Sequence, residues 1–183
     1  MTRRKITKKT TYHGAYMNTD LIKNLREKTG AGIMACKSAL ESSNGDLEKA
    51  EKILQEQGVA SARKKIGRNA QEGIISSYIH ANNKIGVLLE INCETDFVAN
   101  TDDFKDLAHN ITMQIAAMNP IYIDMESNPT ILNDEQPSKD NSLLSQQFIK
   151  DNEKSIQDLI EETSGKLGEK IEIKRFQRFA ISE

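Results

Sequence analysis

Apolar side chains recur at helical spacing in the first third of the chain. Three such segments follow one another between residues 18 and 58, and glycine-containing turns at 30–32 and 44–45 separate them. The spacing predicts three short helices that pack as a small bundle. The apolar positions are Leu21, Ile22 and Leu25, then Ile33, Cys36 and Leu40, then Leu47, Ala50, Ile53 and Leu54.

From Gly73 onwards the pattern changes to β-rich runs followed by helical spacing. Two such runs flank a polar tetrapeptide at 81–84, which is typical of an antiparallel hairpin. The element order predicts an α+β core over residues 73–183, in which helices cover one face of a small antiparallel sheet. The predicted elements are strands at 74–80 and 85–92, a helix at 102–118, a short strand at 121–123, a helix around 156–167 and a closing strand at 170–181.

Three segments lack apolar periodicity. Residues 1–17 are basic and contain no acidic residue, which predicts a disordered tail, with an organelle-targeting remnant as the alternative. Residues 59–72 are alanine-rich and basic, which predicts a helical or extended linker between domains; a solvated linker is favoured there over a phosphate contact. Residues 124–142 carry two of the three prolines among many polar side chains, so we expect a polar loop.

Composition excludes several classes of protein. A net charge of -2 and a pI near 6.0 give no global positive field for nucleic acid. The longest apolar run is far below the roughly 20 residues that cross a bilayer. Two cysteines without a secretory signal favour a reducing compartment, the cytoplasm or alternatively an organelle interior. The histidines and cysteines share no metal-ligand spacing, so neither a metal nor a cofactor is predicted.

No catalytic motif is present. The nearest candidate is the thiol of Cys93, followed by Glu94 and Asp96. Neighbouring carboxylates raise the pKa of a thiol, whereas a nucleophilic thiolate needs a lowered pKa. The sequence therefore predicts a protein that is not an enzyme.

Two strings carry a specific resemblance. Residues 92–99, NCETDFVA, and residues 26–34, REKTGAGIM, resemble bacterial elongation factor Ts, the nucleotide exchange factor of elongation factor Tu. Further matches occur at 36–37, 39–40, 44–46, 64–65, 167–170, 175–176 and 178–179, so the similarity covers residues 18 to about 120 and 142 to 181. The resemblance implies a ubiquitin-associated-like N-terminal domain over 18–58 and a dimerisation-type α+β core.

The resemblance also implies a mechanism. Phe97 would insert between helices of the G domain of elongation factor Tu and loosen the Mg²⁺ and phosphate contacts that hold GDP. Thr95, Asp96 and Val98 would contact the same partner beside it. Arg26, Ile33 and Met34 correspond to positions where the N-terminal domain meets that G domain. No nucleotide or nucleic acid is expected to bind directly, and a homodimer stays open.

Each of these residues has an alternative interpretation. Burial statistics alone favour a core position for Phe97. Capping of the helix that follows could be the sole role of Thr95 or Asp96. Met34 could be half-buried, and Arg26 could be solvated. The alternative functions are an adaptor module without exchange activity and nucleic-acid binding through the basic tail and linker.

The sequence departs from the family at three places. Ala35 stands where relatives commonly have an acidic residue. Residues 121–141 form a short polar segment where relatives carry a helical segment or a second subdomain, which affects the expected contact with the third domain of elongation factor Tu and any dimerisation built on that region. Gln177 stands between the two Arg-Phe pairs of the C-terminal strand, so no intermolecular disulfide is expected there.

Overall fold

The computed structural model describes residues 19–65, 67–124 and 139–181. The predicted tail at 1–17 and most of the predicted loop at 124–142 lie outside these residues. Backbone contacts divide the chain into two compact units, residues 1–54 and 55–183. The helices are α1 (Thr19–Thr29), α2 (Ile33–Ser42), α3 (Leu47–Arg63), α4 (Asp96–Ala99), α5 (Asp102–Met118) and α6 (Ile156–Leu167). The strands are β1 (Glu72–Ile79), β2 (Ile85–Cys93), β3 (Gln147–Phe148), β4 (Asp151–Ser155) and β5 (Glu172–Ala180).

The first unit contains α1, α2 and the start of α3, as the apolar spacing predicts. The turn between α2 and α3 places Asn44 and Gly45 in the left-handed region, with φ of 54° and 84°. Asp46 then accepts a hydrogen bond from the N–H of Lys49 at 3.2 Å and begins α3. Ile33 was expected on the apolar stripe of α2, but it is 55% exposed and lies outside the core cluster that buries Cys36 and Leu40. The buried residues are Leu25, Cys36, Ala39, Leu40, Ala50 and Leu54.

Helix α3 continues beyond its predicted end at Gly58 and stops at Arg63. The prediction was wrong because Gly58 does not terminate the helix. Gly58 instead lies against Gly165 of α6, where a Cβ built on Gly165 would stand 2.7 Å from the Cα of Gly58. The two backbones meet closely enough that only glycine fits at Gly165 without a shift. The segment predicted as a linker, 59–72, therefore begins as helix.

Strands β1, β2 and β5 form an antiparallel sheet in the order β1-β2-β5. The hairpin prediction is confirmed: β1 and β2 pair in unbroken register, and the turn between them contains Asn83 with φ of 55°. Strand β5 pairs with the other side of β2, with a register shift near Glu90 and Ile91. Alternate residues of β2 face the core and are buried, namely Val87, Leu89, Ile91 and Cys93.

Helices α5 and α6 pack on the inner face of this sheet in one continuous core, as expected for the α+β class. Helix α5 has the predicted bounds because its signals are local: Thr101 caps its first turn, and Asn119 closes it at φ of 47° before Pro120. Helix α6 begins with a reciprocal capping box between Ser155 and Asp158. The apolar face of α5 is buried through Phe104, Leu107, Ala108, Ile111 and Ile115.

Two smaller elements differ from the predictions. The expected strand at 121–123 is reduced to an isolated bridge between Tyr122 and Ser142. A short hairpin of β3 and β4 precedes α6, and its polar sequence gave no apolar alternation to predict it. None of the helices in the described parts of the chain is long and apolar enough to span a bilayer.

Candidate functional site

Phe97 is the second residue of α4, the single helical turn that follows β2. Its side chain is 79% exposed, whereas Phe104, one helix later, is fully buried. The interpretation of Phe97 as a core residue is therefore wrong. An aromatic ring this exposed is uncommon on a folded surface and marks a candidate contact site.

The turn that carries Phe97 is held on both sides. Thr95 is its N-cap, and the hydroxyl of Thr95 accepts a hydrogen bond from the N–H of Val98 at 3.4 Å. Val98 and Ala99 are each 4% exposed and belong to the core below the sheet. Val98 therefore anchors α4 and presents no side chain to solvent, while Asp96 and Thr95 are exposed beside the ring. Thr95 thus caps α4 and is also exposed.

Two carboxylates tie the end of β2 to the connection between α6 and β5. Glu169 accepts hydrogen bonds from the N–H groups of Glu94 at 3.1 Å and Thr95 at 3.0 Å, and from the Thr95 hydroxyl at 2.6 Å. Glu94 in turn accepts from the N–H of Lys170 at 2.6 Å and from the guanidinium of Arg68 at 3.2 Å. The chain just before α4 is thereby bonded to a distant part of the sequence.

A buried cation lies next to these carboxylates. Lys65 is 4% exposed, and its ammonium donates to the backbone carbonyl of Ser164 at 2.8 Å. Burial lowers the pKa of Lys65, and the charges of Glu94 and Glu169 oppose that shift. The hydrogen bond from the N–H of Lys170 holds the pKa of Glu94 below its ordinary value. The junction therefore contains charges of both signs in close contact.

Cys93 lies at the end of β2, directly before this junction. Burial, with a further contribution from the charge of Glu169, raises the pKa of its thiol to about 11. The thiol donates to the backbone carbonyl of Thr95 at 3.1 Å. At neutral pH the group stays protonated and cannot act as a nucleophile.

In the first unit, the other predicted contact residues lie on the surface. Met34 is 74% exposed and Ile33 is 55% exposed, both in the first turn of α2, so the half-buried alternative for Met34 is wrong. Arg26 is exposed in α1, while its neighbour Leu25 points into the core. Ile33 and Met34 give this unit its own exposed apolar surface.

The outer face of the sheet, which the helices leave uncovered, is also apolar. Gly86 pairs with Ile79 on one side and Phe179 on the other, and a groove of about 430 Å³ lies at this level of the sheet. Arg175 and Glu90 form an ion pair of 2.6 Å on the same face. The exposed apolar side chains of this outer face are Ile75, Ile79, Leu88, Phe179 and Ile181.

Within residues 19–65, 67–124 and 139–181, no three histidine, cysteine or acidic side chains converge as a metal site would require. Among the predicted contact residues, Val98 is the exception: it is 4% exposed because it packs into the core, so its side chain is not available to a partner. The sequence-based reasoning also assigned no role to Glu169 or Lys65. Glu169 stands in the string 167–170 that resembles the family, yet its role depends on contacts across the fold. Nothing local to Glu169 indicates that it bonds to the segment before Phe97.

Comparison with known proteins gives a consistent result. Residues 21–138 match the family model described as Elongation factor TS. Elongation factor Ts of Thermoanaerobacter sp. (strain X514) is 47% identical over 195 aligned positions, which cover 91% of this chain and 96% of that protein. Elongation factor Ts of Moorella thermoacetica is 45% identical, with 88% and 94% covered, and that of Thermotoga maritima is 46% identical, with 91% and 97% covered. Since 195 positions exceed the 183 residues of this chain, the Thermoanaerobacter protein carries residues that have no counterpart here.

Proposed function

Because the chain belongs to the elongation factor Ts family of translation elongation factors, we propose that it binds elongation factor Tu and promotes the exchange of GDP for GTP. Phe97 inserts into the G domain and loosens the Mg²⁺ and phosphate contacts of the bound GDP. The observation that carries this proposal is the 79% exposure of Phe97 on a turn whose neighbours are buried.

The geometry suits a wedge for a physical reason. A phenylalanine has two side-chain torsions, so fixing it in a partner's pocket costs little conformational entropy. Its backbone is already ordered, because Val98 and Ala99 anchor the turn in the core and Thr95 caps it. Binding energy is therefore available to displace helices of the partner. The exposed Asp96 and the hydroxyl of Thr95 supply polar contacts beside the ring.

We also propose that the first unit makes a second contact with elongation factor Tu. Ile33 and Met34 offer exposed apolar surface, and Arg26 offers a charge that can bond to a carboxylate or carbonyl of elongation factor Tu. This contact supplies affinity, whereas Phe97 supplies the displacement. The division predicts that loss of the ring impairs exchange more than association.

Exchange of this kind needs no acid, base, metal or cofactor on the factor, so the protein acts without bond chemistry. Thermodynamic reciprocity requires that, if the factor weakens GDP binding, GDP weakens binding of the factor to the same extent. The relatives described above are bacterial proteins, which favours the bacterial cytoplasm over an organelle interior as the place of action.

The decisive measurement is the release of labelled GDP from elongation factor Tu with and without this protein. We expect release to accelerate with protein concentration and to saturate. Binding without acceleration would support the adaptor alternative instead. Binding to single-stranded nucleic acid, with a steep loss as salt rises, would support the nucleic-acid alternative.

We also propose that two copies associate through the outer face of the sheet. A cluster of exposed apolar side chains on one face of a sheet is typical of an interaction surface, and the helices cover only the opposite face. The charges of Arg175 and Glu90 neutralise each other there, so two copies related by a twofold axis would not repel. Sedimentation of the wild type and of Leu88→Glu tests this: the wild type should sediment as a dimer and the variant as a monomer. A monomeric wild type at micromolar concentration refutes the proposed dimer.

A further inference from the structure

We propose that Glu169 is a positioning residue for Phe97, because it holds the start of α4 in the orientation from which the ring projects. The inference rests on the proposed exchange function. Glu169 is 74 residues from Thr95 in the sequence and does not belong to the exposed contact surface. Its carboxylate is half-buried and bonded to the chain that enters α4.

Helix α4 needs support from outside itself. It has four residues, far fewer than the roughly 12 that an isolated helix needs to be marginally stable. The first N–H groups of any helix also lack acceptors within the helix. The Thr95 hydroxyl, the acceptor at this terminus, meets the N–H of Val98 only at 3.4 Å. The cap alone is therefore a weak constraint on the turn.

Glu169 strengthens that cap because its carboxylate accepts hydrogen bonds and donates none. A hydroxyl has one proton, and the Thr95 hydroxyl gives it to Glu169 Oε1 at 2.6 Å, so a lone pair of the hydroxyl is left for the N–H of Val98. The second carboxylate oxygen, Oε2, accepts the N–H groups of Glu94 and Thr95. All three donors face one carboxylate, and hydrogen bonds to an ionised acceptor are about twice as strong as neutral ones.

The position of Glu169 is itself fixed. Its backbone carbonyl accepts a hydrogen bond from the Ser164 hydroxyl at 2.5 Å, and the carbonyl of Ser164 accepts the buried ammonium of Lys65. The next residue, Lys170, donates its N–H to Glu94. The carboxylate is thus held by α6 and by the strand end that it constrains. Releasing it would let the start of the turn, from Thr95 to Phe97, move while Val98 and Ala99 stay packed in the core.

The replacement Glu169→Gln tests the carboxylate with almost no change in volume. An amide has one acceptor oxygen and two donors, so it cannot accept from donors on both sides. The matched control is Glu162→Gln on α6, because that carboxylate also makes tertiary bonds, to Lys154 at 2.8 Å and to Gln55, but none to α4. Labelled GDP release from elongation factor Tu is measured against the concentration of each variant.

For Glu169→Gln we expect the maximal acceleration of GDP release to fall about tenfold, equivalent to about 1.4 kcal/mol. The half-saturating concentration should change less than about twofold, since the first unit still docks. Glu162→Gln should match the wild type. Full acceleration by Glu169→Gln, or a loss confined to the half-saturating concentration, would overturn the proposal.

A second readout does not need the partner. Amide hydrogen exchange of the free chain should show the N–H groups of Thr95 and Val98 exchanging about tenfold faster in Glu169→Gln, with the amides of α5 unchanged. Unchanged protection at Thr95 and Val98 refutes the positioning role even if GDP release falls. A wild type that does not accelerate GDP release would refute the proposed function instead. If Glu169→Gln does not fold, the shorter Glu169→Asp is measured in the same way, with the same direction expected.

Discussion

Replacing Phe97 with alanine separates a wedge from a core residue. The side chain is 79% exposed, so truncation withdraws only about a fifth of the roughly 200 Å² that a phenylalanine can bury. At about 25 cal/mol per Å² this burial stabilises the fold by about 1 kcal/mol. For a chain of this size the melting temperature should fall by no more than roughly 2 to 4 °C.

Phe104→Ala is the matched control because Phe104 is fully buried in the same unit. Its truncation should destabilise the fold by roughly 3 to 5 kcal/mol through lost burial and the cavity left behind. The two variants thus remove the same side chain, once from an exposed position and once from a buried one. Thermal unfolding of both variants, followed by circular dichroism, gives the comparison directly.

For nucleotide exchange we expect the opposite order: Phe97→Ala should impair GDP release more than Phe104→Ala does. A buried aromatic anchor at a protein interface contributes roughly 2 to 4 kcal/mol, so GDP release promoted by Phe97→Ala should slow by roughly 30-fold to 1,000-fold. Association with elongation factor Tu should persist through the first unit. GDP release and unfolding are measured on one preparation. A stable Phe97→Ala variant with full exchange would refute the wedge, and a strongly destabilised one would contradict the observed exposure.

Four further predictions concern other parts of the chain. Deleting residues 1–16 should leave GDP release unchanged, and a large loss would refute the interpretation of that segment as a dispensable tail. Combining Cys36→Ser with Cys93→Ser should retain exchange with modest destabilisation, and abolished exchange in a folded variant would revive thiol chemistry. Because the folded pKa of Cys93 is about 11 against an ordinary 9.0, its thiol stabilises the fold below pH 9 and loses that contribution as pH rises towards 11. The urea stability of Cys93→Ser should therefore lack this alkaline decline, and an identical decline would contradict the raised pKa. Gly165→Ala should cost roughly 1 to 3 kcal/mol in urea unfolding, because the added Cβ meets backbone, whereas Gly67→Ala, which meets nothing within 4 Å, should not; equal stabilities would refute the close helix crossing.

The sequence predicted the elements whose signals are local. Helix α5 has its cap at Thr101 and its stop at Asn119, so its bounds follow from neighbouring residues. The end of α3 could not be predicted in this way, because a glycine such as Gly58 can either end a helix or stand inside one, and here it lies inside α3, next to Gly165. The hairpin of β3 and β4 was missed because its strands are too short and polar to show alternation.

The same distinction between local signals and contacts across the fold applies to the candidate site. Family resemblance indicated Phe97, but its exposure depends on whether the chain after β2 turns towards the core or away from it. That turn is fixed by Val98 and Ala99 below and by Glu169 from the connection between α6 and β5. Pattern alone could not supply this tertiary arrangement.

The five phenylalanines of the chain all lie in its described parts, and their distribution bears on both proposed contacts. Phe104 and Phe148 are buried in the core, and Phe176 packs against it, whereas Phe97 and Phe179 are exposed. The two exposed rings belong to different surfaces, one on α4 and one on the outer face of the sheet. Because Phe97 projects from a capped turn and Phe179 from a paired strand, neither ring requires the other for its orientation. The two proposed contacts should therefore be separable: a change at Phe179 should alter the proposed dimerisation without altering the proposed wedge, and Glu169 should influence only the wedge.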